Sequence, residues 1–376
     1  MRVIMTGGGT GGHVNPAIAI ANTIKRNIPD AEILFVGTAR GIENKLTAEE
    51  GYPIKHVEIK GFKRSLSPSN IKAAYLAFVS PMKAKKIVKD FSPDIVIGTG
   101  GYVCWPVLVA ASKMGIPTAV HESNAFPGVA VRKLQKYVDR IWLNFEDSAK
   151  YLTAKEKIMH VGNPLRTSFG AVGYAEARKK LGIDGKYGCY ILSYGGSMGA
   201  EKVNEACLSL MRDLVKDRTD ILHQHACGAI EAEASKTMFE EYGLEGRENL
   251  ILSEYIYDMP LRMAAADIVI SRAGAMTVSE LAMMKKASIM IPSPNVTGNH
   301  QYKNAKVIAD MGGTVLLEER ELVGDRLKRE IERLISDEEK RKEMGDAIFG
   351  FASPDANKII YNEILSLVEK GERNKK

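Results

Sequence analysis

The feature that most constrains this chain is a rhythm. Short β-branched runs alternate with helix-like stretches from end to end. Val3–Met5, Ile33–Val36, Ile54–Glu58, Ile95–Ile97, Thr118–Val120, Arg140–Leu143 and Ile158–Val161 read as strands, and the pattern resumes at Tyr190–Ser193, Ile221–His225, Asn249–Leu252, Ile268–Ile270, Ser288–Ile291 and Thr314–Leu316. Such alternation predicts βαβ units and parallel sheets with helices on both faces. A glycine-rich strand-to-helix turn opens the chain at Gly7–Gly12 and another appears near Gly195–Gly199, so the rhythm restarts. At 376 residues the chain is too long for one ordinary core. The expected fold is therefore α/β, with two Rossmann-like domains facing a cleft. The linker is placed after Gly162-Asn163-Pro164, giving a first domain over 1–162 and a second over 163–350. A closing segment, 351–376, holds a helical stretch from Asp355 to Lys370 after Pro354. Sequence alone assigns it to neither domain; packing back on the first is one option.

Several function classes fall away. Four cysteines without C-x-x-C spacing argue against a disulfide framework or a zinc site and fit a reducing compartment. No basic segment followed by a long apolar stretch opens the chain, so no signal peptide is expected. The longest apolar run, Tyr102–Ala111, contains Pro106 and is too short to span a bilayer. Residues 1–162 carry 22 Lys and Arg against 13 Asp and Glu, while the remainder carries 30 against 33. A basic first half suggests an anionic partner, nucleic acid or a membrane surface.

Gly7-Gly8-Gly9-Thr10-Gly11-Gly12-His13 follows the first strand and leads to a helix expected over Pro16–Lys25. Glycines permit close backbone approach, and a helix start offers free N–H groups to an anion. The run contains G-x-G-x-x-G, but Gly37-Thr38 stands where a dinucleotide site needs an acid, and no Gly-Lys-Ser/Thr makes it a P-loop. Gly195-Gly196-Ser197-Met198-Gly199-Ala200 repeats the device in the second half. The most specific stretch is Ser271–Leu281. Gly274 allows a sharp entry into a helix starting near Ala275, so the amides of Ala275, Met276 and Thr277 point at a diphosphate. Glu280, further along, suits a pair of ribose hydroxyls. Gly298–Ala305 opens another helix, where Gln301 is a candidate for sugar hydroxyls.

In their order, Gly7–His13 with Asn15-Pro16, Gly100–Val103, His121–Asn124, Gly162–Arg166, Gly195–Ala200 and Ser271–Glu280 resemble the bacterial glycosyltransferases of peptidoglycan synthesis, over nearly the whole chain. Those enzymes move N-acetylglucosamine from UDP-GlcNAc onto undecaprenyl-pyrophosphoryl-N-acetylmuramyl-pentapeptide. The resemblance implies a GT-B fold, with acceptor bound mainly by the first domain and UDP-GlcNAc mainly by the second. It places Ser197 and the Ala275–Thr277 amides at the diphosphate, Glu280 at the ribose and the Ile256 backbone at uracil. Arg166, Asn124 and Gln301 would complete the donor site. Thr10, Gly11 and Gly12 would touch the sugar or the acceptor, with Tyr102 and His121 on the acceptor side. The chain departs from the family at Ser123, Cys104-Trp105 and His300.

Such a transfer needs a group to take the proton of the muramyl 4-hydroxyl. His13 is the first candidate, with Glu122 and His121 as alternatives in a loop after Thr118–Val120. Direct displacement inverts the anomeric centre. With no Asp-x-Asp, no obligatory metal is expected, and no other cofactor. Between Gly61 and Phe91, Lys63, Arg64, Lys72, Lys83, Lys85, Lys86 and Lys89 interleave with Ile71, Tyr75, Leu76, Phe78, Val79 and Met82. That pattern suits an anionic bilayer, or a core-facing amphipathic helix with a basic outer face. The expected location is peripheral, on the cytoplasmic face of the cell membrane. Nucleic acid is not expected, since no recognised binding module is present. Rival readings are a diacylglycerol glucosyltransferase, a UDP-GlcNAc 2-epimerase and a non-catalytic nucleotide-sugar sensor.

Overall fold

The computed structural model describes residues 1–61 and 69–373. Among them, thirteen strands form two parallel sheets. The chain divides into two units, Met1–Leu165 together with the segment from Ser353, and Arg166–Ala352.

The first unit holds β1 (Arg2–Thr6), β2 (Glu32–Gly37), β3 (Ile54–His56), β4 (Ile95–Gly98), β5 (Thr118–Glu122), β6 (Arg140–Leu143) and β7 (Ile158–His160) in the order β3-β2-β1-β4-β5-β6-β7. Side chains alternate across a strand, and both faces here are apolar. Val3 and Met5 point into one core with Val14, Ile18 and Ile97, while Ile4 joins Val96, Val107 and Leu108 on the other. The closing helix Ala356–Arg373 seals the first of these cores with Ile360, Ile364 and Leu367. Asn357 Nδ2 donates to Leu165 O at 2.8 Å, and Arg140 pairs with Glu363 at 3.4 Å.

The second unit holds β8 (Cys189–Tyr194), β9 (Ile221–Ala226), β10 (Leu250–Ser253), β11 (Ile268–Ser271), β12 (Ala287–Met290) and β13 (Val315–Leu316), ordered β10-β9-β8-β11-β12-β13. Its main core joins Ile191, Ile268, Ile270 and Ile289 to Val203, Leu208 and Ile331 on the helices.

Both sheets reverse their strand order once, between β1 and β4 and between β8 and β11. Ligands of such sheets bind beyond the carboxyl ends of the strands at that switch. The glycine segments follow β1, β4, β8 and β11, so the topology carries all four to the two switch points.

Two local expectations are corrected. The first helix runs Gly11–Asn27 and starts inside the glycine run, because extended Thr10 (φ −149°) lets Val14 N–H reach Thr10 O at 3.2 Å. Pro16 sits within its early turns, where the missing N–H is tolerated most easily. Second, β5 extends to Glu122, paired with Leu143 of β6, so His121 and Glu122 lie on the strand and not in a loop.

Candidate active site

In the first unit the site is built around the first glycine run. His13, half-buried in the first turn of its helix, places Nδ1 3.2 Å from Gly8 O and 3.3 Å from Thr10 Oγ1. A carbonyl only accepts, so Nδ1 donates to Gly8 O and Nε2 is the ring nitrogen left for a ligand. Thr99 Oγ1 donates to His13 O at 2.6 Å and pins the backbone. The loop after β4 closes over the ring. A Cβ on Gly100 (φ +107°) would sit 2.5 Å from His13 Cδ2, and one on Gly101 would run into Gly8 O. Only glycine satisfies both the positive φ and this approach. Tyr102, 38% exposed, lies against Gly9. Thr10 and Gly12 are exposed beside it, and Gly11 and Gly12 supply the first amides of the helix.

The other two acid–base candidates are committed elsewhere. Glu122 is 4% exposed. Its Oε1 accepts from the backbone and side-chain nitrogens of Asn124, each at 3.0 Å, and its Oε2 accepts from Gly128 N at 2.7 Å. It holds the turn into the helix Val129–Leu134. His121 is fully buried, with Nε2 2.9 Å from Gly162 O, and burial pushes its pKa down to about 4. Both side chains are thus tied to groups of the first unit. Asn124 is oriented by Glu122, and Ser148 Oγ donates to Asn124 O at 2.5 Å.

One residue of this site was missed. Glu43, 1% exposed, accepts from Gly9 N–H at 3.1 Å with Oε2, and from Thr38 N–H and Oγ1 at 2.9 and 2.8 Å with Oε1. Burial raises its pKa, but the hydrogen bonds from Thr38 and Gly9 outweigh it and hold the carboxyl below its usual range. Its partner Gly9 lies 34 residues away, and no local pattern marks such a contact.

In the second unit, the helix Ala275–Met283 starts at Gly274 with no side-chain cap and no acid in its first turn. Its start is therefore a ready site for an anion. Asn304 Nδ2 holds Ala273 O at 3.2 Å, and Arg272 bonds Ile291 O and Glu319, which fixes the segment leading in. Glu280, on the same helix, is half-buried; burial pushes its carboxyl up to about 7, and Arg166 pulls the other way. Arg166 itself is exposed. The loop after β8 exposes Ser197, and Ala229 N–H bonds Ser197 O at 3.3 Å. Gly199 and Gly228 touch through their backbones, so neither has room for a side chain. Ile256 is buried, between Tyr255 and the 90% exposed Tyr257, which meet edge to face at 4.9 Å. Gln301 Oε1 accepts from Ser293 N at 2.8 Å, so its oxygen is occupied and its NH₂ is the end left to offer a ligand.

The lysine-rich segment forms the helix Ser69–Phe91. Ala73, Leu76, Ala84 and Val88 are buried on one side, while Ile71, Tyr75, Phe78 and Met82 form a stripe 64–80% exposed. Lys83, Lys85, Lys86 and Lys89 are exposed beside it. Lys63 and Arg64 lie outside the described residues, as does the side chain of Lys72. Pro81 has no N–H for Ala77 O, and Trp105 Nε1 donates to that carbonyl at 2.9 Å instead. No helix among the described residues is long and apolar enough to cross a membrane.

Comparison with known proteins agrees with the two-unit α/β fold. Residues 3–143 match the glycosyltransferase family 28 N-terminal domain, and 190–360 match its C-terminal domain. The chain is 43% identical over 369 residues to a UDP-N-acetylglucosamine–N-acetylmuramyl-(pentapeptide) pyrophosphoryl-undecaprenol N-acetylglucosamine transferase of Acetivibrio thermocellus, covering 98% of this chain and 99% of that one. It is similar to the crystal structure of Acinetobacter baumannii MurG, with TM-score 0.74 and 26% identity over 97% of this chain and 99% of that one. A UDP-GlcNAc 2-epimerase from Neisseria meningitidis bound to UDP-GlcNAc shares the fold, with TM-score 0.64 at 16% identity over 97% of this chain and 100% of that one.

Proposed function

The chain belongs to glycosyltransferase family 28, among the peptidoglycan N-acetylglucosamine transferases, and on that premise we propose that it transfers N-acetylglucosamine from UDP-GlcNAc to the muramyl 4-hydroxyl of undecaprenyl-pyrophosphoryl-N-acetylmuramyl-pentapeptide. The first unit takes the acceptor, with Tyr102 and the Thr10–Gly12 turn beside it. The second takes the donor, with Ser197, Arg166 and the Ala275–Thr277 helix start at the diphosphate, Glu280 at the ribose, the Ile256 backbone at uracil and Gln301 at the sugar. Asn124 completes the donor contacts from the loop that Glu122 holds.

In the reaction, the acceptor O4 attacks the anomeric carbon of the α-linked sugar and gives its proton to His13 Nε2. The new O4–C1 bond forms as the bond from C1 to the diphosphate oxygen breaks, and that electron pair leaves on UDP. The product linkage is β. Helix-start amides stabilise the growing charge without reorganising. The observation that carries this reading is His13 Nδ1 within hydrogen-bond reach of Gly8 O, which leaves Nε2 for the acceptor hydroxyl.

The exposed stripe Ile71–Met82 and its lysines support peripheral binding to an anionic membrane, on the cytoplasmic face where the nucleotide sugar is available. Binding to anionic vesicles should fall as salt rises.

The testing experiment is UDP release from UDP-GlcNAc with and without a short-chain lipid-linked muramyl-pentapeptide. Acceptor-dependent release, with β-linked GlcNAc on the product, is expected. Turnover of the sugar nucleotide without acceptor would favour an epimerase of the same fold. The reaction should also survive chelation; loss restored by one specific cation would refute metal independence.

A further inference from the structure

The peptide unit joining Gly8 to Gly9 is engaged at both ends. Its carbonyl, Gly8 O, accepts from His13 Nδ1 at 3.2 Å, and its N–H, on Gly9, donates to Glu43 Oε2 at 3.1 Å. We infer that Glu43 is a positioning residue for the transfer, acting on His13 through this peptide as a carboxylate–amide–imidazole relay. The inference rests on the proposed role of His13 as the base.

The physical link is amide resonance. An anion bonded to the N–H draws electron density toward the carbonyl oxygen and makes it a stronger acceptor. A stronger acceptor at Nδ1–H fixes the imidazole in one tautomer and favours proton uptake at Nε2. In hydrolase triads a carboxylate does this by touching the imidazole directly. Here a peptide stands between them.

The geometry marks Glu43 as built for the task. It is 1% exposed, and among the described residues no cation pairs with it, so its charge is not spent on an ion pair. Thr38 holds the second oxygen through two donors and so aims the first at Gly9. Three glycines make room for it. A Cβ on Gly8 would lie 2.7 Å from Glu43 Oε1, one on Gly37 2.6 Å from Cγ, and one on Gly41 would overlap the carboxylate. The far side of the peptide is closed by Gly101 against Gly8 O, and Thr99 pins the His13 backbone. Neither end of the relay can swing without moving a packed neighbour.

The test is a double-mutant cycle on the full-length protein with Glu43→Gln, His13→Ala and the double variant, read as kcat and donor KM in acceptor-dependent UDP release. Glu43→Gln sets an NH₂ against N–H donors and removes the charge. It is expected to lower kcat by about ten-fold or more with donor KM changed by less than about two-fold, and to cost nothing further in the His13→Ala background. Unchanged kcat, or an equal loss in the His13→Ala background, would overturn the relay and leave Glu43 as a loop-building residue. An active His13→Ala would overturn the base assignment itself, an outcome distinct from an active Glu43→Gln beside an inactive His13→Ala. If Glu43→Gln melts early or loses UDP binding, Thr38→Val replaces it in the cycle. That variant keeps the carboxylate but loosens its aim, so a smaller kcat loss that vanishes with His13→Ala supports the relay, and an additive loss refutes it.

Discussion

The glycine turns that follow β1 and β11 both lie at the switch points of their sheets, yet they differ in electrostatics. The first is saturated from within: Glu43 takes the Gly9 and Thr38 donors, Thr99 holds the His13 backbone, and Gly8 O takes Nδ1. In the second unit, the helix start after β11 has no side-chain cap, and Glu280 sits where burial pushes its carboxyl up to about 7. A turn whose polar groups are already paired is pre-organised, which suits a group that moves a proton. A helix start with no side-chain cap, beside a carboxyl that burial raises, suits the binding of an anion.

The sharpest way to break this contrast is to remove one side chain from each turn. His13→Ala is expected to lower kcat by roughly 100- to 10,000-fold with little change in donor affinity, measured as acceptor-dependent UDP release beside UDP titration calorimetry. Glu280→Ala should do the reverse, weakening UDP by about 10- to 100-fold, the worth of hydrogen bonds to a charged group. Swapped phenotypes would undo the assignment of chemistry to one turn and binding to the other.

Acid sharpens it further. Donor hydroxyls favour the ionised form of Glu280, so UDP affinity is expected to fall as pH drops below about 7, and binding near that pH should release protons detectable by calorimetry in buffers of different ionisation enthalpy. The fold itself responds through buried histidines. Burial lowers His121 and His225 to about 4, and lowers His223 well below its ordinary value with help from His225, against 6.5 for the free side chain. Folded values below the unfolded one mean that the unfolded chain takes up protons first. Stability should therefore be lost as pH falls from about 6.5 toward 4, by on the order of 3 kcal/mol for each of His121 and His225 at the end of the range. Two of the three lie on β9, bridged by Ser193 Oγ at 2.8 Å to each. The second unit should thus give way first in an acid melt followed by hydrogen exchange. Earlier loss of the first unit would show that other groups dominate. The smallest effect expected is at Trp105, where Phe forfeits the bond to Ala77 O and costs about 1 kcal/mol in thermal unfolding, with less binding to anionic vesicles.

Much of this was legible in the linear chain. Each of the expected strands is present, with ends shifted by a few residues, because alternating β-branched runs and glycine punctuation are local signals. The helix entry at Gly274–Ala275 was read for the same reason: a glycine before a helix is a neighbour effect. The candidates after Thr118 fared differently. Glu122 looked like an acid–base group by residue type, and only folding showed both its oxygens taken by Asn124 and Gly128. Glu43 carries no mark in the linear chain; the parallel pairing of β1 with β2 brings the ends of those strands together and sets it under Gly9. Trp105, noted only as a departure from the family, proved to answer the carbonyl that Pro81 leaves open.

The sequence by itself determined the strands, the glycine turns and the kinds of side chain available to them, because backbone propensity and hydrophobic pattern act over a few residues. The tertiary structure alone decided which carboxylates are spent on amides, which nitrogen of His13 meets the Gly8 carbonyl and which carboxyl is raised on the helix after β11. Those outcomes depend on burial and on partners far apart in the chain, and an ionisable group has no settled role until its hydrogen-bond partners are set.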